Sequence, residues 1–139
     1  MRKPRAIIYD DNADVANVLK DHFTLRGYDV LTYHEPARCP VYVSRAACSE
    51  TACADIVIVD FHLPAMNGLE LLRAQSLRGC RVPAGNRALM VGALPDATLH
   101  GLKELGCRYV QKPFAWSEIA VWLDAREALI DLSQPLAAM

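Results

Sequence analysis

The chain has 139 residues, the size of one domain and enough to bury a core without metals or disulfides. Hydrophobic residues make up 53% and charged residues 22%, and the formal net charge is −1, which gives no support to a polyanionic partner such as nucleic acid held by bulk electrostatics. No apolar run approaches the ~20 residues of a membrane span. The basic start, Met1-Arg2-Lys3-Pro4-Arg5, is followed by four apolar residues and then two aspartates, too short for a signal-peptide core. The sequence therefore predicts a cytoplasmic protein with no membrane or nucleic-acid partner, its five cysteines reduced rather than paired.

Residues 6–9 form a continuous apolar run, the pattern of a strand buried on both faces. Residues 12–26 then repeat Val15, Val18, Leu19, His22 and Phe23 at helical spacing, with Gly27 as a stop. A second strand is predicted over 28–33. Residues 36–54, rich in Cys and Ala, read as a short helix, an irregular loop or both. Residues 56–59 are the clearest buried strand and lead straight into Asp60. A helix over 68–78 ends at Gly79, and 88–91 is a fourth strand. A helix over 97–105 stops at Gly106, and 109–111 is a fifth strand. The last helix is expected to start at Ser117 as N-cap and to carry Ile119, Trp122, Leu123 and Ile130 inward. Alternating strands and helices predict an α/β domain with a parallel sheet covered on both faces.

Asp10 and Asp11 follow the first strand and Asp60 the third. Ligands of doubly wound sheets bind outside the carboxyl ends of the strands. If these two strands are neighbours, three carboxylates converge there, and such a cluster invites a hard cation with oxygen ligands, Mg²⁺ or in its place Mn²⁺. Lys112, after the fifth strand and before Pro113, reaches the same rim as a point charge for a phosphoryl oxygen. Acidic pair, lone aspartate and lysine make a site for moving a phosphoryl group onto a carboxylate. Any one of these residues could simply start a turn or cap a helix; four at successive strand ends point to chemistry.

The chain resembles the receiver domains of two-component response regulators over about residues 5–132. The resemblance rests on Ile-Ile-Tyr-Asp-Asp at 7–11, Ile-Val-Asp-Phe-His-Leu-Pro-Ala-Met-Asn-Gly at 58–68, and Lys112-Pro113-Phe114. It implies a flavodoxin-like (βα)₅ fold with sheet order 2-1-3-4-5, in a chain made of one receiver and no output domain. It also implies a phosphorelay module, not an enzyme, with a histidine kinase or phosphotransfer protein upstream. An unidentified downstream protein would meet the face of the last two helices and the fifth strand. Asp60 would accept the phosphoryl group, Asp11 would ligate the metal with Asp10 supporting it, and the His62 backbone carbonyl would be a further ligand. Lys112 would hold a phosphoryl oxygen, and Tyr109 matches the aromatic that moves inward on activation. An aspartate-nucleophile phosphatase would need a second acid two residues past Asp60, where His62 stands.

One position departs from the pattern. The family places Ser or Thr at the end of the fourth strand to bind the phosphoryl group; here the residue is Gly92, which has no side-chain donor. Acceptance, resting on carboxylates and Lys112, is expected to survive, while switching is expected to be weak or rerouted through the Gly92 backbone N–H. The second class of function comes from the cysteines. Cys39, Cys48, Cys53 and Cys80 are candidates for a four-thiolate Zn or Fe–S site in a metal- or thiol-binding sensor indifferent to phosphate, although no Cys-x-x-Cys occurs. Cys107 reads as a small core residue.

Overall fold

The computed structural model describes residues 1–39, 48 and 51–138. Five strands, β1 (Arg5–Tyr9), β2 (Asp29–Tyr33), β3 (Ile56–Asp60), β4 (Arg87–Val91) and β5 (Arg108–Gln111), form one parallel sheet in the order β2-β1-β3-β4-β5. This is the expected doubly wound order. Four α-helices are described: α1 (Ala13–Leu25), α2 (Gly68–Leu77), α3 (Asp96–Leu105) and α4 (Trp116–Glu127). Of the uncertain stretch 36–54, a 3₁₀ turn over Pro36–Arg38 is seen, and the reading of a helix or loop over 40–47 and 49–50 lies outside the described residues. No helix among the described residues is long and apolar enough to cross a membrane.

The alternation of side chains along each strand splits the core in two. Ile7, Tyr9, Val57, Val59, Leu89 and Val91 face α2 and α3, through Leu69, Leu71, Leu72 and Leu102. Ala6, Ile8, Ile56, Ile58, Ala88, Met90 and Val110 face α1 and α4, through Leu19, Phe23, Ile119, Trp122 and Leu123. Every residue of β3 and β4 is buried, which is why these strands read as apolar runs interrupted only by Asp60 at the end of β3 and Arg87 at the start of β4.

Two helix expectations need correction. Val18 is 48% exposed rather than core-facing, because α1 turns only Ala16, Leu19 and Phe23 fully inward. Ser117 is not the cap of the last helix: the cap position is Ala115, with no side-chain hydrogen bond, and α4 begins at Trp116. Trp116 stacks on His22 of α1, with ring centroids 4.7 Å apart, and meets Phe23 edge-on, so tertiary packing sets the start of this helix. Asn12 caps α1 by accepting hydrogen bonds from the backbone N–H groups of Asp14 and Val15, at 3.0 and 3.2 Å.

The end of α4 is tied back to α1. Arg26 donates from Nε to Glu127 Oε1 at 2.7 Å and Tyr28 Oη donates to the same oxygen at 2.7 Å. Arg26 first, and Tyr28 with it, hold the Glu127 carboxyl below its ordinary value near 4.5. A depressed carboxyl pKa contributes stability that is complete above that ordinary value and is lost as pH falls through the lower folded value. Because the pair is partly exposed, Glu127→Gln should cost no more than about 1 kcal/mol at neutral pH. Urea titrations of both proteins should show this difference shrinking as pH falls below about 4.5.

Candidate functional site

The pairing of β1 with β3 sets Tyr9 against Val59, so the residues that follow the two strands emerge side by side. Asp10 and Asp60 are 0% and 1% exposed, whereas Asp11 is open to solvent. The three carboxylates bring ligand oxygens within 4.8 Å of one another, the only group of three or more acidic, histidine or cysteine ligands this close among the described residues. Asp10 Oδ1 accepts from the Asn12 backbone N–H at 2.9 Å, joining the site to the start of α1.

Lys112 enters from the end of β5. Its Nζ lies 2.9 Å from Asp60 Oδ1 and 3.4 Å from Asp10 Oδ2. Burial pushes the Asp60 carboxyl up; Lys112 and the His62 backbone hydrogen bond pull against it, and the charge of Asp10 adds to the rise. Burial opposes the charge on Lys112, but Asp60 and Asp10 outweigh it and the ammonium pKa is raised. Asp10 Oδ2 and Asp60 Oδ1 are buried and make no hydrogen bond of good geometry, facing only this ammonium. One cation against three carboxylates leaves the site short of positive charge. Hard oxygen donors with unsatisfied buried lone pairs fit a divalent cation such as Mg²⁺.

The other expected site residues lie around this cluster. The His62 ring is exposed and edge-on to Phe61, while its backbone hydrogen-bonds the Asp60 carboxylate. Gly92 follows β4, and its carbonyl accepts from Tyr109 Oη at 3.1 Å, so the half-buried tyrosine is fastened to the backbone of the departing position. A Cβ on Gly92 would meet only the Lys112 carbonyl oxygen at 3.9 Å. The backbone therefore does not demand glycine here, and what the position lacks is a side-chain donor.

The four cysteines proposed as a second metal site are not drawn together as ligands. Cys39, Cys48, Cys53 and Cys80 pack against the α2/α3 face of the core, but no three of their sulfurs form a ligand group among the described residues. Burial first, then Cys80, Cys39 and Cys48, push the Cys53 thiol up to about 12, away from the thiolate a metal needs. Cys107 is partly buried against the same core.

Two features of the site were not evident from the sequence. The first is Gly68, at which a Cβ would collide with the Asp60 carbonyl oxygen and lie 2.7 Å from Leu89 Cδ1. The close approach lets the Gly68 backbone N–H donate to Phe61 O at 2.8 Å, drawing the start of α2 against the end of β3. Its place in the quoted motif was the signal, but the reason is steric. The second is an apolar groove lined by Val15, Val18, His22, Pro113, Phe114 and Trp116 together with Lys112.

No family model matches the chain. The transcriptional regulatory protein KdpE of Mycobacterium tuberculosis is 29% identical over 136 residues, covering 94% of this chain and 55% of that protein. The chain thus spans about half the length of the curated relatives it matches. Among solved structures, the receiver domain of the Francisella response regulator 1452 superposes with a TM-score of 0.72 at 19% identity, over 91% of this chain and 98% of that one. The chain has the fold of a response-regulator receiver domain. A two-component response regulator from Clostridium difficile (TM-score 0.70, 14% identity, 90% and 96% coverage) shares the receiver fold. So does the Vibrio cholerae chemotaxis protein CheY4 (0.67, 16%, 89% and 98%).

In this fold the Gly68 contact makes a direct test of how β3 is held against α2. Gly68→Ala should destabilise the protein by about 1–3 kcal/mol, the ordinary cost of overpacking. Chemical denaturation would show it as a lower midpoint with an unchanged slope.

Proposed function

We propose that the chain is a phosphoacceptor signalling module of a two-component phosphorelay, phosphorylated on Asp60. The observation that carries this reading is the meeting of Asp10, Asp11, Asp60 and Lys112 from three different strand ends, with two buried carboxylate oxygens left without hydrogen bonds. A carboxylate oxygen of Asp60 attacks the phosphorus of the donor, a P–O bond forms, and the bond from phosphorus to the donor breaks as that group leaves. Lys112, already beside Asp60, holds an oxygen of the arriving phosphoryl group. Asp11, Asp10 and Asp60, with the His62 carbonyl, would hold Mg²⁺, which when bound supplies the positive charge that the trio and the phosphoryl group together require. The donor would be a histidine kinase or phosphotransfer protein. The apolar groove that Lys112 helps to line, next to the carboxylates it pairs with, is a surface where such a donor would dock.

Gly92 sets the output apart from acceptance. With no hydroxyl to follow the phosphoryl group and Tyr109 Oη already held by the Gly92 carbonyl, phosphorylation has little leverage on the face of α3, β5 and α4 where a downstream protein would dock.

The reading is tested by incubating the protein with acetyl phosphate and Mg²⁺ and resolving the phosphorylated form by phosphate-affinity electrophoresis. Label should accumulate on the wild type, be absent from Asp60→Asn, and require at least about tenfold more Mg²⁺ in Asp11→Ala. Label on Asp60→Asn equal to wild type would overturn the assignment. For the switch, beryllofluoride should cause only small amide shifts around Tyr109 in the wild type and larger ones in Gly92→Ser. Large shifts there in the wild type would sink the weak-switch reading while leaving acceptance intact.

A further inference from the structure

The end of the sheet opposite Asp60 holds a charge that the acidic cluster does not use. Arg87 opens β4 and is 3% exposed. Its Nη1 donates to Leu72 O at 3.0 Å and Gln75 Oε1 at 3.3 Å, and its Nη2 donates to Ser76 Oγ at 2.7 Å. Its Nε is buried and meets no acceptor, and no carboxylate pairs with the guanidinium among the described residues. Residues 71–95 contain four arginines, Arg73, Arg78, Arg81 and Arg87, and no aspartate or glutamate. A buried guanidinium without a counter-ion is costly, and an anion placed against it would offset that cost.

The missing acceptor has a defined place. In a guanidinium, Nε and Nη2 project along one edge and together grip the two oxygens of a single anion. Arg26 uses this edge on Glu127, with Nε on Oε1 at 2.7 Å and Nη2 on Oε2 at 3.0 Å. The same edge of Arg87 is half filled: Ser76 supplies one oxygen, to Nη2, and nothing is supplied to Nε. Ser76 is the next-to-last residue of α2 and is exposed, so it is open to solvent while its partner is not. Arg73, one turn earlier on α2, and Arg78, two residues later, add positive charge around it. The macrodipole of α2 opposes an anion at its carboxyl end, an effect that solvent screens. Two charge-assisted bonds to a buried guanidinium are the larger influence.

We propose that Ser76 is a phosphorylation site, with the Nε–Nη2 edge of Arg87 as the receptor for its phosphoryl oxygens. The enzyme required is an ATP-dependent protein-serine kinase. The Ser76 oxygen attacks the γ-phosphorus of ATP and an O–P bond forms. The bond from that phosphorus to the β–γ bridging oxygen breaks, ADP leaves, and the hydroxyl proton is released. The resulting phosphoserine carries close to two negative charges at neutral pH and three strong acceptor oxygens, so it can serve Nε as well as Nη2. It would tie the end of α2 more firmly to the start of β4, where Leu72 O and Gln75 already accept from the same arginine. The site stands apart from Asp60, which closes β3 at the other end of the sheet, and does not depend on phosphoryl transfer there.

The test has two arms, both on the full chain. In the first, phosphoserine is encoded at position 76 and its phosphate is titrated by phosphorus NMR. Its second pKa should fall about one unit below the ~6 of free phosphoserine. In Arg87→Lys, which keeps a charge but lacks the fork, most of that shift should be lost. A folded value below the unfolded one adds stability above about pH 6, lost as pH falls through the folded value. Between about pH 4.5 and 7.5 the folding constant of the phosphorylated chain, measured in urea, should therefore rise about tenfold more than that of the unmodified chain. Should Arg87→Lys not fold, the titration of the phosphorylated wild type decides. A phosphate pKa at or above that of free phosphoserine would overturn the proposal. So would an equal rise in the unmodified chain on adding inorganic phosphate, which would make this a site for a free anion. In the second arm the chain is recovered from the cells that make it, growing and starved, and mapped by peptide mass spectrometry. Phosphate on Ser76 at equal occupancy in Asp60→Asn is the expected result, and Ser76 unmodified under both conditions would overturn it.

Discussion

Two carboxylates, Asp10 and Asp60, are withdrawn from water at the ends of adjacent strands, with the Lys112 ammonium the nearest counter-charge. Acids buried this close repel each other, and one lysine does not balance them together with Asp11. Much of the surrounding structure serves to hold this arrangement. The Asn12 N–H fixes Asp10 at the start of α1, and the missing side chain of Gly68 lets α2 press against the Asp60 carbonyl. Burying like charges gives up stability, and a divalent cation among these oxygens would offset that cost.

The parallel sheet has two unlike ends. At the carboxyl ends of its strands, charges of opposite sign meet at the rim, and Lys112 also lines an apolar groove formed by α1 and the start of α4. At the amino ends, the buried Arg87 donates hydrogen bonds to Leu72 O, Gln75 Oε1 and Ser76 Oγ, and no carboxylate pairs with it among the described residues. The central strands β3 and β4 are buried throughout and run from one end to the other, giving a rigid path between them. Gly92 and Tyr109 stand beside the first end, joined by the hydrogen bond from the Tyr109 hydroxyl to the Gly92 carbonyl.

Most of the fold was legible because the signals were local. Continuous apolar runs at β1, β3 and β4 are what strands buried on both faces require, and Gly27, Gly79 and Gly106 all take the left-handed conformation that ends a helix. The failures came where a contact distant in sequence won. Ser117 is a good cap by type, yet the cap position is Ala115, two residues earlier, because Trp116 packs on His22 and Phe23. Val18 fits the helical period of a core residue, yet it lies at the edge of a groove that only α1 and the Pro113–Trp116 segment together create.

The sequence by itself determined the order of strands and helices and the presence of Asp10, Asp11, Asp60 and Lys112 at strand ends, because periodicity and turn residues are properties of neighbours along the chain. The tertiary structure alone decided which carboxylates lose water, how near Lys112 comes to each, and why Gly68 cannot carry a side chain. It also separated the cysteines from a metal site: spacing along the chain allowed four thiols to meet, but packing placed them around a core face without bringing three together. Distances across a sheet depend on register and on the helices that cover it. Those are settled by burial over the whole domain, and no stretch of sequence contains them.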